Sequence, residues 1–135
     1  MANSTSIQLL QDGPRNVVVK FEGVLDTSDL ASTTVVDPAL LSQLDYWQNR
    51  NAAKLAIVKI TYNIEDLLSV NLFWDATTPV RIEELTGRGK MDFRHGQYLQ
   101  NNAGAGITGK ITATTQGWVA SAVLSFSIIV EMVKQ

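Results

Sequence analysis

Residues 120–132 read ASAVLSFSIIVEM, and their spacing decides the fold. Ala120, Ala122, Leu124, Phe126, Ile128, Val130 and Met132 take every second position, alternating with Ser121, Val123, Ser125, Ser127, Ile129 and Glu131. Side chains alternate across a strand, so period two puts one set on an apolar face and the other on a wetter one. On a helix the three serines would scatter around the cylinder. The wider stretch Val119–Val133 is the most apolar in the chain, yet Ser121, Ser125, Ser127 and Glu131 interrupt it. A membrane-spanning helix needs about 20 predominantly apolar residues, so no span is expected here.

Outward from this run the same period recurs. Val17, Val19, Phe21, Gly23 and Leu25 alternate with Val18, Lys20, Glu22 and Val24. Ala56, Val58, Ile60, Tyr62 and Ile64 alternate with Ile57, Lys59, Thr61, Asn63 and Glu65. Leu68, Val70, Leu72, Trp74 and Ala76 form a third run, and Glu65-Asp66 before it reads as a tight hairpin turn. Shorter strands are predicted at Ser6–Leu10, Pro79–Leu85 and Lys110–Thr115, with Pro79 at the strand start, where a missing N–H is tolerated. Two readings stay open for Asp37-Pro38-Ala39-Leu40-Leu41. The aspartate caps a short helix with proline at its first position, or Thr33–Val36 is a strand that the proline ends.

These runs predict an all-β chain: an antiparallel, jelly-roll-like sandwich in one domain, residues 1–135. The length suits one domain with a core that needs no staples. The absence of cysteine removes disulfides, thiolate metal sites and thiol nucleophiles. Eleven Lys/Arg against thirteen Asp/Glu give a formal charge of −2, and a dedicated nucleic-acid binder needs a basic face instead. The first residues, Met-Ala-Asn-Ser-Thr-Ser, carry no signal-peptide pattern, so synthesis in a cytoplasm and a soluble product are expected.

Residues 86–109 stand apart as a long glycine-rich loop or arm, TGRGKMDFRHGQYLQNNAGAGITG. Arg88, Lys90, Arg94 and Lys110 against Asp92 give this stretch through Lys110 a local excess of three positive charges, whereas residues 1–75 sum to −4. A loop of this length in a small domain is usually functional or mobile. Either it docks on a partner, or it is a long hairpin packing its aromatics on its own sheet.

Two motifs fail on context. Gly104-Ala-Gly106-Ile-Thr-Gly109 spells GxGxxG, but Lys110-Ile-Thr-Ala-Thr-Thr-Gln-Gly117 follows, β-branched and with no helix to face a pyrophosphate. Read as a phosphate loop, the same stretch has Ile111 after Lys110 instead of the hydroxyl that would hold magnesium. His95 is the single histidine, so no site with two or three histidines arises from one chain. A Ser–His–acid triad lacks a G-x-S-x-G elbow to hold its serine. The neighbours Glu83-Glu84 would point to opposite faces of a strand, and Asp26, Asp29 and Asp75 match no calcium-loop spacing. No catalytic residue, cofactor or metal site is therefore expected. Trp74 and Trp118 fall on apolar faces and read as core. Tyr46-Trp47, in the polar segment Asp45–Asn51, either caps the open end of the sandwich or stacks on a ligand.

The second half resembles small structural proteins of tailed bacteriophages. The segments that carry this are Asn71-Leu-Phe-Trp-Asp-Ala-Thr-Thr-Pro79, Gly87-Arg-Gly-Lys-Met-Asp-Phe93, Leu99-Gln-Asn-Asn-Ala-Gly-Ala-Gly106 and Ile128-Ile-Val-Glu-Met-Val-Lys134. They are similar to virion proteins of the capsid decoration (cement) type. The resemblance implies a non-enzymatic homo-oligomer, commonly a trimer, on the capsid exterior. Such a protein bridges major capsid protein subunits and is assembled in the bacterial host cytoplasm. Contacts are expected from Arg88, Lys90, Phe93, Arg94 and Tyr98 in the arm, with Tyr46 and Trp47 as a second patch. Val123, Ile129, Leu67 and Phe73, apolar residues on nominally wet faces, suggest surface that a second subunit covers. The alternatives are a carbohydrate-binding jelly roll for host attachment, built on Trp47 with Gln48, Asn49 and Asn51, and another virion station such as a tail or head–tail connector subunit.

Overall fold

The computed structural model describes residues 3–41, 53–94, 98–120 and 122–134. Among these residues nine strands form in chain order: β1 (Ser4–Asp12), β2 (Asn16–Leu25), β3 (Thr33–Val36), β4 (Leu55–Ile64), β5 (Ser69–Trp74), β6 (Val80–Thr86), β7 (Arg88–Asp92), β8 (Ile111–Gln116) and β9 (Leu124–Lys134). All pair antiparallel. One sheet has the order β1-β2-β9-β4-β7 and the other β3-β8-β5-β6. With β1 set aside, the chain crosses between sheets at every step from β2 to β9 except the β5–β6 hairpin. That is the double Greek key of a jelly roll, with β1 added as a fifth strand on one sheet.

Period two does what the sequence predicts. Leu124, Phe126, Ile128, Val130 and Met132 are buried on β9, and Val17, Val19, Phe21 and Leu25 on β2. They meet Val70, Leu72 and Trp74 of β5, Leu85 of β6 and Ile111 and Ala113 of β8 across the sandwich. The rings of Phe21 and Phe126 lie 5.2 Å apart at 53°. Gly23 leaves room for this, because a Cβ there would stand 2.9 Å from the Phe126 ring and 3.0 Å from the Ser4 carbonyl oxygen. Full burial of side chains this large contributes roughly 1.5–3 kcal/mol each.

Several elements differ from expectation. Glu65-Asp66 does not join a hairpin: β4 and β5 lie in different sheets. The Leu68 N–H donates to the Glu65 carbonyl over 3.2 Å, and Leu67 takes a φ of 75°. The turn therefore arches from one layer to the other, and the Leu67 carbonyl rests on Gly117, where any Cβ would collide. The last strand begins at Leu124, not Ala120. Both readings of the proline segment hold, in succession. Thr33–Val36 is a strand, and Pro38–Leu40 makes one 3-10 turn capped by Asp37, whose carboxylate accepts from the Ala39 N–H at 3.0 Å.

The segment 86–109 opens on structure. Thr86 ends β6, Gly87 turns with a φ of 66°, and Arg88–Asp92 form β7 on the opposite sheet. Beyond Asp92 the described residues of the segment form no regular strand, yet Phe93 and Leu99 still bond to β4. The Phe93 N–H donates to the Val58 carbonyl at 2.9 Å, and Leu99 exchanges backbone hydrogen bonds of 2.9 Å with Ile57.

Candidate interaction surfaces

The expected contact residues separate by direction. On β7, Arg88 pairs with Asn63 and Lys90 with Thr61, on the outer face of the five-stranded sheet. Both are exposed, and among the described residues neither joins an ion pair. Arg94 is committed elsewhere. Its guanidinium grips the Asp92 carboxylate through Nε at 3.0 Å and Nη2 at 2.6 Å. The hydrogen bond and charge of Asp92 raise the Arg94 pKa further above its ordinary value. The pair cancels locally, leaving Arg88, Lys90 and the neighbouring Lys59 as the basic feature of this edge. Phe93 and Leu99 pack partly buried against the core, and Tyr98 is half-buried. Phe93 is thus spent largely on the core, although the segment is no hairpin: β7 pairs with β4, and β6 lies in the other sheet. Tyr46, Trp47 and His95 lie outside the described residues.

The glycine motif has a packing role. Gly106 and Gly109 have φ of 77° and 84°. A Cβ on the first would collide with Thr77, and one on the second with the Ala53 carbonyl. The loop they belong to is stitched to residues 75–77: Thr108 donates its hydroxyl to Asp75 Oδ2 at 2.8 Å, and the Asp75 N–H donates to the Lys110 carbonyl at 3.0 Å. Trp74 is fully buried, and Trp118 packs at the core margin, its Nε1 donating to the Ala122 carbonyl at 3.1 Å.

Sequence reasoning missed three features. The first is a polar row across all five strands: Ser6 opposes Glu22, Glu22 opposes Ser127, Ser127 opposes Asn63, and Asn63 opposes Arg88. The row lies in a shallow depression of about 470 Å³ that Ser4, Ser125 and Glu65 also border. Only the sheet register assembles it, so the sequence carries no local signal. The second is Lys134, whose wholly buried ammonium donates to Asp12 Oδ1 at 2.6 Å and the Gly13 carbonyl at 2.7 Å. It ties the β1–β2 turn to the end of β9.

The third is β1 itself. Ile7 opposes Phe21 and Leu9 opposes Val19, so both lie on the core-facing side of their sheet. Yet they remain 50% and 48% exposed, because the four-stranded layer stops short of β1. Leu10, at a register irregularity, is 48% exposed as well. Of the apolar residues expected on wet faces, Leu67 and Val123 are well exposed, while Ile129 and Phe73 are half-buried.

Among the described residues no group of three His, Cys, Asp or Glu gathers as a metal site, and no helix is long and apolar enough to cross a membrane. No protein family, curated protein or solved structure matches the chain.

Proposed function

We propose that this chain is a non-enzymatic structural protein of a bacteriophage virion, an oligomeric decoration subunit that binds the major capsid protein on the capsid exterior. The observation that carries the reading is the filled interior. Jelly rolls serve as capsid proteins, lectins and small-molecule enzymes, so the fold alone does not choose among them. In this chain the space between the sheets is taken by Trp74, Phe21, Leu72, Ile111 and Ile128, all fully buried. Binding then falls to the outer surfaces. Arg88, Lys90 and Lys59 offer a basic edge to an acidic lattice, where complementary charge steers docking more than it adds affinity.

The test is co-sedimentation of the purified chain with undecorated phage heads. The expected result is pelleting at micromolar concentration that weakens with added salt and is lost in the double variant Arg88→Glu, Lys90→Glu. Absence of pelleting by the unaltered chain overturns the proposal.

The polar row favours a second reading, a glycan-binding module. Hydroxyl, amide and carboxylate groups from Ser6, Glu22, Asn63 and Ser127 suit a polyhydroxylated ligand, with Arg88 at one end. Glycan-array binding that Asn63→Ala abolishes while leaving the fold intact would select it over the capsid reading.

A further inference from the structure

Strand β1 pairs with β2 alone, and among the described residues no strand occupies its other edge. Free edges invite pairing, and proteins ordinarily blunt them with charge, proline, bulges or brevity; the one irregularity of β1 lies at Leu10, past a regular register from Ser4 to Leu9. The opposite edge of this sheet follows that rule: β7 has five residues, with Arg88, Lys90 and Asp92 on its outward face. Strand β1 has nine residues and no charge from Asn3 to Gln11. Asp12, its last residue, is already held by Lys134.

We infer that β1 is the contact strand for a second copy of this chain, the two β1 strands pairing antiparallel about a two-fold axis through Gln8. This rests on the proposal that the chain is an assembling structural subunit, and names the partner and the strand. The occupant follows from self-complementarity. In an antiparallel pair centred on Gln8, Ile7 stands opposite the second copy's Leu9, and Leu9 opposite its Ile7. Opposed residues share a face. All four apolar side chains therefore gather on the core-facing side, in the step beyond the four-stranded layer. Gln8 meets its own counterpart on the outer side, where its neighbour on β2 is Lys20. The only charge on β1, Asp12, falls opposite the second copy's Ser4 at the end of the pair, so no like charges face each other across it. A strand with like charges at these positions would repel itself, and an acidic or basic partner would find no complement. A two-fold contact is isologous, so one surface suffices for both subunits.

The chain has no cysteine, which makes the test direct. Gln8→Cys places one thiol per chain beside the axis. Directly opposed Cα atoms in an antiparallel pair lie about 4.5–5.5 Å apart, within the span a disulfide bridges. Under mild oxidant, Gln8→Cys should give a covalent dimer, and Lys90→Cys on the other edge should stay single. Sedimentation of the full unaltered chain at micromolar concentration should give two chains, and Leu9→Lys one chain with an unchanged circular dichroism spectrum. If Leu9→Lys fails to fold, the two cysteine variants decide. A single-chain mass for the unaltered protein, a three-chain mass without the Gln8→Cys link, or equal linking through Lys90→Cys overturns the inference. Monomers that bind heads overturn it while leaving the decoration reading standing. Dimers that ignore heads support it and remove that reading.

Discussion

Strands β1 and β7 close the same five-stranded sheet at its two ends, and their chemistry differs at almost every position. On β7 the outward residues are Arg88, Lys90 and Asp92, and the inward Met91 is sheltered by the core. On β1 the inward residues are Ile7 and Leu9, half-exposed beyond the second layer, and no charge stands between them and the end of the strand. Among the described residues neither edge has a further strand beside it, so what separates them is the cost of bringing one alongside. Docking against β7 would crowd its cations and strip water from them. Against β1 it would desolvate hydroxyls, amides and apolar side chains, with no charge before Asp12 at its end. The lesson is that exposure alone does not mark an interface; exposed apolar residues on an edge without gatekeeper charges do.

Four tests break or sharpen this contrast. The largest effect is expected from Lys134→Ala, which removes the ammonium from the Asp12 carboxylate and frees the β1–β2 turn from β9. Breaking a fully buried pair from one side costs about 3–5 kcal/mol, and with Asp12 partly exposed the loss here should fall at or just below that range, to be read from urea denaturation. Combining Lys134→Met with Asp12→Leu should recover most of that loss, since the apolar replacement leaves no unpaired charge. Next comes Gly23→Val. Its side chain must displace the Phe126 ring or the Ser4 backbone, lifting β1 at its start, and overpacking of this kind costs about 1–3 kcal/mol in the same assay.

The third test gives β7 the character of β1. The double variant Arg88→Val, Lys90→Val should leave stability within about 0.5 kcal/mol, as exposed substitutions do. Light scattering should show new concentration-dependent association through the unblunted edge. The smallest change in stability belongs to the reverse exchange. Gln8→Lys gives β1 the kind of charge that β7 carries. It should leave the urea midpoint almost unmoved while shifting the sedimenting species from two chains to one.

The strands that period two revealed were legible because each buries one face under the other layer. Val17 through Leu25 and Leu124 through Met132 could be read residue by residue. Strand β7 was hidden by Gly87 and Gly89, which read as loop, and by an outward face of charges. Its pairing comes from β4, not from any apolar run of its own. The arch at Glu65–Leu68 was misread for a related reason. A tight turn between two strands looks the same whether they pair beside each other or face each other across a core. The sites fared less well. Arg88 and Lys90 are outward as expected, but Phe93 is partly consumed in packing and Arg94 is held by Asp92. Tyr46 and Trp47 lie outside the described residues.

From the order of its residues alone, the chain is legible as all-β and as free of thiols. These follow from local facts: alternation fixes the two faces of a strand, and residue types fix which bonds are available. Which strands share a sheet, where the second layer ends, and which charges meet were decided only in three dimensions. Lys134 finds Asp12 from 122 positions away, and the row from Ser6 to Arg88 exists only once five strands are in register. Contacts of that range depend on how the two sheets close on one apolar core, and no window of sequence contains both partners.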